Sequence, residues 1–146
     1  MIKFLNIYKQ DFNIQNKNLN DIKKIIFKNN FILGDEVNEF EKKFSKYTGA
    51  KYAVGVANGT DALTIALKIL NLPRDSEVII PAMTYCSTAF AILNAGLTPV
   101  LADIEDDTPL ISIEKLVKKI NKKTKVIMPV HLYGSVVDII KIKKKI

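Results

Sequence analysis

Cysteine and histidine are nearly missing from this chain, each occurring once, as Cys86 and His131. A single cysteine excludes an internal disulfide, and the two residues together leave structural zinc without a ligand set in the chain. Arginine is equally scarce, Arg74 standing alone among the basic residues. The net charge of +7 invites a nucleic-acid partner, but arginine is the usual residue for bidentate contacts to bases and phosphates. The lysines scatter or gather in short runs, at Lys115, Lys118, Lys119, Lys122 and Lys123 and again at Lys141, Lys143, Lys144 and Lys145. Such runs read as solvated helix faces and termini, so no nucleic-acid partner is expected. No stretch approaches the roughly 18 apolar residues of a membrane span, and Met1-Ile2-Lys3-Phe4-Leu5-Asn6 lacks the apolar region of a signal peptide. A cytoplasmic protein without a membrane partner is expected. Neither Gly-x-x-x-x-Gly-Lys-Ser/Thr nor Gly-x-Gly-x-x-Gly follows any apolar run, which speaks against nucleotide hydrolysis and dinucleotide binding.

What is present is enough apolar material for a core: 48% of 146 residues are hydrophobic and 8% aromatic, as expected for one domain. Leu19, Ile22, Ile25 and Ile26 share one face of a helix over residues 18–28, and Val37, Phe40, Phe44 and Tyr47 recur at helical spacing over 35–48. Gly49 is placed to end the second helix as a left-handed cap, and Gly34 to permit a turn in the apolar loop Phe31-Ile32-Leu33-Gly34. From Lys51 the pattern becomes strand then helix, repeated. Strands are expected at 52–57, 77–81, 98–103 and 125–130, and helices at 61–70, 87–94 and 113–120. Ser112 is a suitable N-cap for the last of these, and Asp138 for a final helix. Continuous apolar strands alternating with amphipathic helices imply an α/β, three-layer fold with a mainly parallel sheet. Ligands of such sheets bind outside the carboxyl ends of the strands, which singles out the loops 58–61, 81–88, 103–108 and 131–136.

The first of these loops carries the strongest local signal. Val56-Ala57-Asn58-Gly59-Thr60-Asp61-Ala62-Leu63 turns from an expected strand directly into a helix whose apolar face holds Ala62, Leu63, Ala66, Leu67 and Leu70. Unpaired N–H groups and the positive end of the helix dipole suit such a turn to an anionic group such as phosphate. An Asn-Gly pair can instead make a plain hairpin turn, but a hairpin would be followed by a strand. In the second loop, Tyr85 either stacks on a planar cofactor ring or packs half-buried with its hydroxyl bonded, and taken alone the packing alternative is favoured. Cys86 is expected to be a small buried apolar residue, not a nucleophile.

Taken in order, these segments resemble the DegT/StrS family of fold-type I, pyridoxal-phosphate-dependent aminotransferases acting on nucleotide-linked keto sugars. Gly34-Asp35-Glu36-Val37 with Phe40-Glu41-Lys42-Lys43-Phe44, Tyr47 and Gly49 is similar to the family's entry segment. Val56 to Leu63 resembles its phosphate loop, and Val78-Ile79-Ile80-Pro81 with Thr84-Tyr85 and Ser87-Thr88 its ring-stacking loop. Pro99-Val100 through Asp103-Ile104, then Pro129-Val130-His131-Leu132-Tyr133-Gly134, complete the series. The resemblance implies that Gly59, Thr60 and Asp61 bind the phosphate of pyridoxal 5'-phosphate, that Tyr85 stacks on its ring, and that Thr88 lies near the ring. It further implies that Gly34, His131 and Tyr133 are close to the substrate.

By the same resemblance the activity is transfer of an amino group from an amino acid, with glutamate the expected donor, to a keto-sugar nucleotide, in a homodimer. Related members include dehydratases. The Schiff-base lysine and the carboxylate that serves the pyridinium nitrogen belong to later strands of the family, so no catalytic residue is assigned here. Residues 1–146 are then expected to be the N-terminal part of the cofactor-binding large domain, inactive alone and with a sheet edge left open. The alternative is a non-catalytic phosphate-ligand-binding chain, or an assembly partner of a complete paralogue.

Overall fold

Four consecutive apolar residues, Val78, Ile79, Ile80 and Pro81, are wholly buried in one strand, and a strand sends successive side chains to opposite faces. Such a strand needs cover on both sides. A computed structural model describes residues 12–146. In chain order these form α1 (Phe12–Lys28), α2 (Asp35–Thr48), α3 (Gly59–Ile69), β1 (Glu77–Pro81), α4 (Ser87–Asn94), β2 (Thr98–Ala102), α5 (Ile113–Val117), β3 (Thr124–Ile127) and α6 (Ile139–Lys145). They divide into two compact units, with the boundary at Gly55 and Val56.

In the unit 56–146 the strands form one parallel sheet of order β2-β1-β3. Val78 and Ile80 point to one face, where Leu67 of α3, Ile92 of α4 and Leu97 complete a buried cluster. Ile79 points to the other, against Ala102, Ile111, Leu116 of α5, Val137 and Ile142 of α6. Helices therefore cover both faces of a parallel sheet, giving the three-layer α/β arrangement expected from the sequence. Outside β3 no further strand is paired among the described residues, and an apolar groove of about 330 Å³ runs there between β3 and α6.

In the unit that ends at Gly55, α2 stops as its sequence demands. Gly49 adopts φ 72° and its N–H reaches the Lys46 carbonyl. Lys28 of α1 pairs with Glu36 of α2 at 3.5 Å, and the Glu41 carboxylate accepts the Gly55 N–H at 2.6 Å. Gly34 differs from expectation. Its φ is −70°, open to any residue, and the left-handed position in the loop is taken by Leu33 at φ 50°. Glycine is needed there for space, since a Cβ would sit 2.9 Å from the Asn30 carbonyl oxygen.

Other boundaries shifted for identifiable reasons. Residues 52–57 are not a strand: they have no ladder partner among the described residues, and Tyr52, Val54 and Val56 are exposed. The helix expected over 113–120 keeps α-helical form only to Val117, because Lys119 and Ile120 bond three residues back, to Leu116 and Val117, in a tighter turn. β3 ends at Ile127, two residues before Pro129, which has no N–H for a ladder. No helix among the described residues is long and apolar enough to cross a membrane.

Candidate active site at the carboxyl ends of the strands

The first turn of α3 is built by Asn58. Its backbone is extended, its side-chain Oδ1 accepts the Asp61 N–H at 2.9 Å, and its Nδ2 donates to the Asp61 carboxylate at 2.9 Å. Its carbonyl accepts the Ala62 N–H at 3.1 Å. Of the N–H groups that open the helix, Asp61's is thus occupied, while those of Gly59 and Thr60 have no acceptor among the described residues. The turn is open on the side chain's side of Gly59, where a built Cβ meets nothing within 4 Å. The Thr60 carbonyl takes the Thr64 hydroxyl at 2.9 Å, and the Thr60 hydroxyl itself has no hydrogen-bond partner among the described residues.

The loop after β1 is tied to the end of β2 by the Ala82 N–H donating to the Ala102 carbonyl at 2.8 Å. Tyr85 stands 73% exposed in it, neither packed half-buried nor stacked on another ring. Thr88, by contrast, is buried and shares a 2.9 Å hydroxyl hydrogen bond with Thr84, so it fixes the loop from beneath. Cys86, expected to be buried, is exposed at the start of α4.

After β2 the chain makes a tight acidic loop. Ile104 bridges Ile111 in antiparallel fashion, and the Ser112 N–H returns to the Asp103 carbonyl at 2.9 Å. Ser112 is the N-cap by backbone position, although its side chain makes no capping bond. Lys115 is more than a solvated lysine. Its ammonium reaches the Asp103 carboxylate and the Ile104 carbonyl, each at 3.1 Å, and Asp106 at 3.6 Å. The Ile104 N–H and the Lys115 ammonium hold the Asp103 carboxyl below the usual carboxylate range, and the Asp103 hydrogen bond raises Lys115.

The fourth loop, after β3, closes on itself. The His131 Nδ1 accepts the Val137 N–H at 3.0 Å. Between them the Ser135 N–H bonds to the Leu132 carbonyl at 2.9 Å across Tyr133 at φ 51° and Gly134 at φ 80°, two successive left-handed residues. That pattern is a type I′ turn, which holds the Tyr133 ring in solvent at 80% exposure. Asp138 then caps α6 as expected, accepting the Lys141 N–H at 2.8 Å.

The fold thus brings Tyr85, Thr88, His131 and Tyr133 to the carboxyl end of one sheet, in the unit that also contains Gly59, Thr60 and Asp61. Gly34 belongs to the other unit. Two residues with a positioning role were missed from sequence. Asn58 had a visible signal, an Asn three residues before an Asp at a helix start. Lys115 had none, because its partner lies twelve residues away across a loop.

Comparison with known proteins gives the family of the chain. A transaminase of Aneurinibacillus thermoaerophilus, named for dTDP-3-amino-3,6-dideoxy-alpha-D-galactopyranose, is 41% identical over 138 residues, which is 94% of this chain and 38% of that enzyme. The structure of NtdA from Bacillus subtilis with bound cofactor PMP superposes with a TM-score of 0.90 at 33% identity, over 98% of this chain and 33% of that one. The PLP form of Spr1654 from Streptococcus pneumoniae gives 0.83 at 33% identity, over 88% and 33%. This chain therefore spans between a third and two fifths of the length of these relatives. A sequence profile of the DegT/DnrJ/EryC1/StrS aminotransferase family matches residues 13–145, and the chain belongs to that family.

Proposed function

We propose that this chain supplies the phosphate seat and ring platform of a pyridoxal-phosphate-dependent aminotransferase acting on a nucleotide-linked keto sugar, with glutamate as amino donor. The observation that carries the proposal is the first turn of α3, in a chain of this family: two N–H groups, at Gly59 and Thr60, without acceptors among the described residues, beside a glycine whose Cβ position is open. A phosphate there gains charge-assisted hydrogen bonds from both N–H groups and the Thr60 hydroxyl, with the helix dipole adding to the attraction.

These residues fit the cofactor. The Asp61 carboxylate keeps its charge, but its bond from Asn58 Nδ2 holds it in the cap. Asp61 acts on this proposal by shaping the turn, and Gly59 and Thr60 make the contacts. Tyr85 has the exposed aromatic face that a flat heterocycle requires. Thr88 keeps the Tyr85 loop in place through Thr84. When bound, the cofactor supplies an electron sink for bonds at the amino-bearing carbon. His131 and Tyr133, at the mouth formed by the loop after β3, are the groups proposed to meet the sugar. Residues 1–146 act as the N-terminal part of the cofactor domain, and a homodimer is the expected assembly of the enzyme.

Pyridoxamine 5'-phosphate tests the seat directly, because it carries the phosphate and ring but has no aldehyde to react with the many lysines. Saturable binding followed by its phosphorus resonance is expected, weakened about tenfold in Thr60→Ala, the loss typical of one hydrogen bond to a charged group. No binding by the parent chain, or equal binding by Thr60→Ala, would overturn the proposal.

A further inference from the structure

At the opposite end of the sheet, the chain enters β1 through residues 71–76 and β3 through residues 121–123. Because β1 and β3 are neighbours, these two entries lie side by side. The Lys123 carbonyl accepts the Glu77 N–H at 2.9 Å, and Asn121 Nδ2 donates to the Glu77 carboxylate at 2.6 Å. Together they border an open hollow of about 340 Å³ lined by Arg74, Asp75, Ser76, Lys122, Lys123 and Lys125. That volume falls at the small end of ligand pockets, which run from about 300 to 1,000 Å³.

The charge in this hollow is unbalanced. Its four cations include the sole arginine of the chain, and none of them forms an ion pair with a described carboxylate. Lys24, Lys28, Lys43, Lys115 and Lys118 elsewhere each have an acidic partner. Asp75 is the single carboxylate of the lining, and nearby Glu77 is engaged by Asn121. The Lys125 ammonium donates to the Lys122 carbonyl at 3.1 Å. Ser76 forms the floor: the residue is 4% exposed, yet its hydroxyl makes no side-chain hydrogen bond. No fully enclosed side-chain oxygen is left unsatisfied, so the hydroxyl of this lining residue is not fully enclosed.

We propose that the hollow is a second anion site, separate from the α3 turn, which takes a compact, multiply charged phosphate of the pyrophosphate class. Four unmatched cations around a buried hydroxyl suit adjacent phosphate groups, with Arg74 providing a planar fork and the lysines point charges. No aromatic side chain lines it, so it lacks the stacking platform of a single-stranded nucleic-acid groove, and its size suits a small anion over a duplex backbone.

The test is a titration of the ¹⁵N-labelled full chain with inorganic pyrophosphate at low ionic strength, followed residue by residue through amide shifts. Saturable shifts are expected at Asp75, Ser76, Lys123 and Lys125. The double variant Arg74→Gln with Lys123→Gln should weaken them about tenfold, the scale of one charged hydrogen-bonding partner lost. Both positions are exposed, and an unchanged thermal midpoint verifies that the variant is folded. Its affinity for pyridoxamine 5'-phosphate should stay at the parent value, which keeps this site distinct from the cofactor seat. Shifts confined to Gly59 and Thr60, unsaturable shifts spread over every lysine run, or an unchanged affinity in the double variant would each overturn the proposal.

Discussion

Asn58 and Asp61 hold one another twice, the Asn58 Oδ1 accepting the Asp61 N–H and the Asn58 Nδ2 donating to the Asp61 carboxylate, both at 2.9 Å. One residue thus caps α3 and fixes the carboxylate nearest the open N–H groups. Asn58→Ala loses both bonds and is expected to cost about 1 kcal/mol of stability, the usual value of an N-cap. Asn58→Asp keeps an acceptor for the Asp61 N–H but sets two carboxylates against each other and against an incoming phosphate. Its stability should exceed that of the alanine variant while its pyridoxamine 5'-phosphate affinity falls below it. Chemical denaturation and phosphate titration measure the two effects separately.

The bond from the Val137 N–H to His131 Nδ1 requires that nitrogen to be unprotonated, so the neutral ring must carry its proton on Nε2. Because the chain has one histidine, a long-range ¹H–¹⁵N spectrum displays this ring alone. The Nε2–H tautomer is expected in the parent, and the Nδ1–H tautomer would contradict the loop geometry. Tyr133 in the same loop keeps a left-handed backbone, which costs a non-glycine residue about 1 kcal/mol. Tyr133→Gly should therefore leave stability unchanged or raise it slightly in denaturation, although a large exposed ring is removed.

Asp103 and Lys115 give the acidic loop a defined pH response. The Asp103 carboxyl is held below its ordinary 3.8, so its contribution is fully present above that value and is lost as pH falls through the lower folded value. Lys115 is raised above its ordinary 10.5, so its contribution is present below 10.5 and is lost only as pH rises through the higher folded value. Between these limits the pair adds no pH dependence. Asp103→Asn should flatten the fall of stability below about pH 4 and leave the neutral range unsloped. Denaturation midpoints measured from pH 2 to 7 decide this, and an equally steep acid limb in the variant would remove Asp103 as a cause.

Elements whose determinants are local could be read from the sequence. α2 has a helical apolar stripe and a glycine stop, and it spans Asp35–Thr48 as expected; β1 and α4 likewise match residue for residue. The three strands that pair were visible as short apolar runs between turn residues, and burial of β1 on both faces followed from its unbroken run. Residues 52–57 have the same apolar character but no neighbouring strand to bond among the described residues, and pairing is a property of two segments, which composition cannot supply. The turn that opens α3 was legible because a helix start is local. The Asp103 clamp and the Thr84–Thr88 hydroxyl pair depend on where loops fold back, so they became visible only in three dimensions.

The proposed function assigns no Schiff-base lysine within residues 1–146, and that has a chemical consequence. Pyridoxal 5'-phosphate followed by borohydride should label exposed lysines in a scattered pattern that added pyridoxamine 5'-phosphate does not suppress. Peptide mass spectrometry identifies the labelled positions. One dominant adduct within residues 1–146, protected by pyridoxamine 5'-phosphate, would assign a Schiff-base lysine to this chain.

Gly34 and Gly59 allow a structural demand to be separated from a functional one. A Cβ at Gly34 would lie 2.9 Å from the Asn30 carbonyl oxygen, so Gly34→Ala must displace backbone and is expected to destabilise by about 1–3 kcal/mol. A Cβ at Gly59 meets nothing within 4 Å, and the backbone there needs no left-handed angle. Gly59→Ala should therefore fold at least as well as the parent and gain up to about 1 kcal/mol, since alanine has less freedom to lose in the unfolded chain. The new methyl group would nevertheless occupy the space through which an anion approaches the Gly59 and Thr60 N–H groups. A stable Gly59→Ala chain with pyridoxamine 5'-phosphate affinity reduced about tenfold or more would tie this glycine to the ligand alone. Equal stability with equal affinity would mean that the anion does not approach across this face of α3.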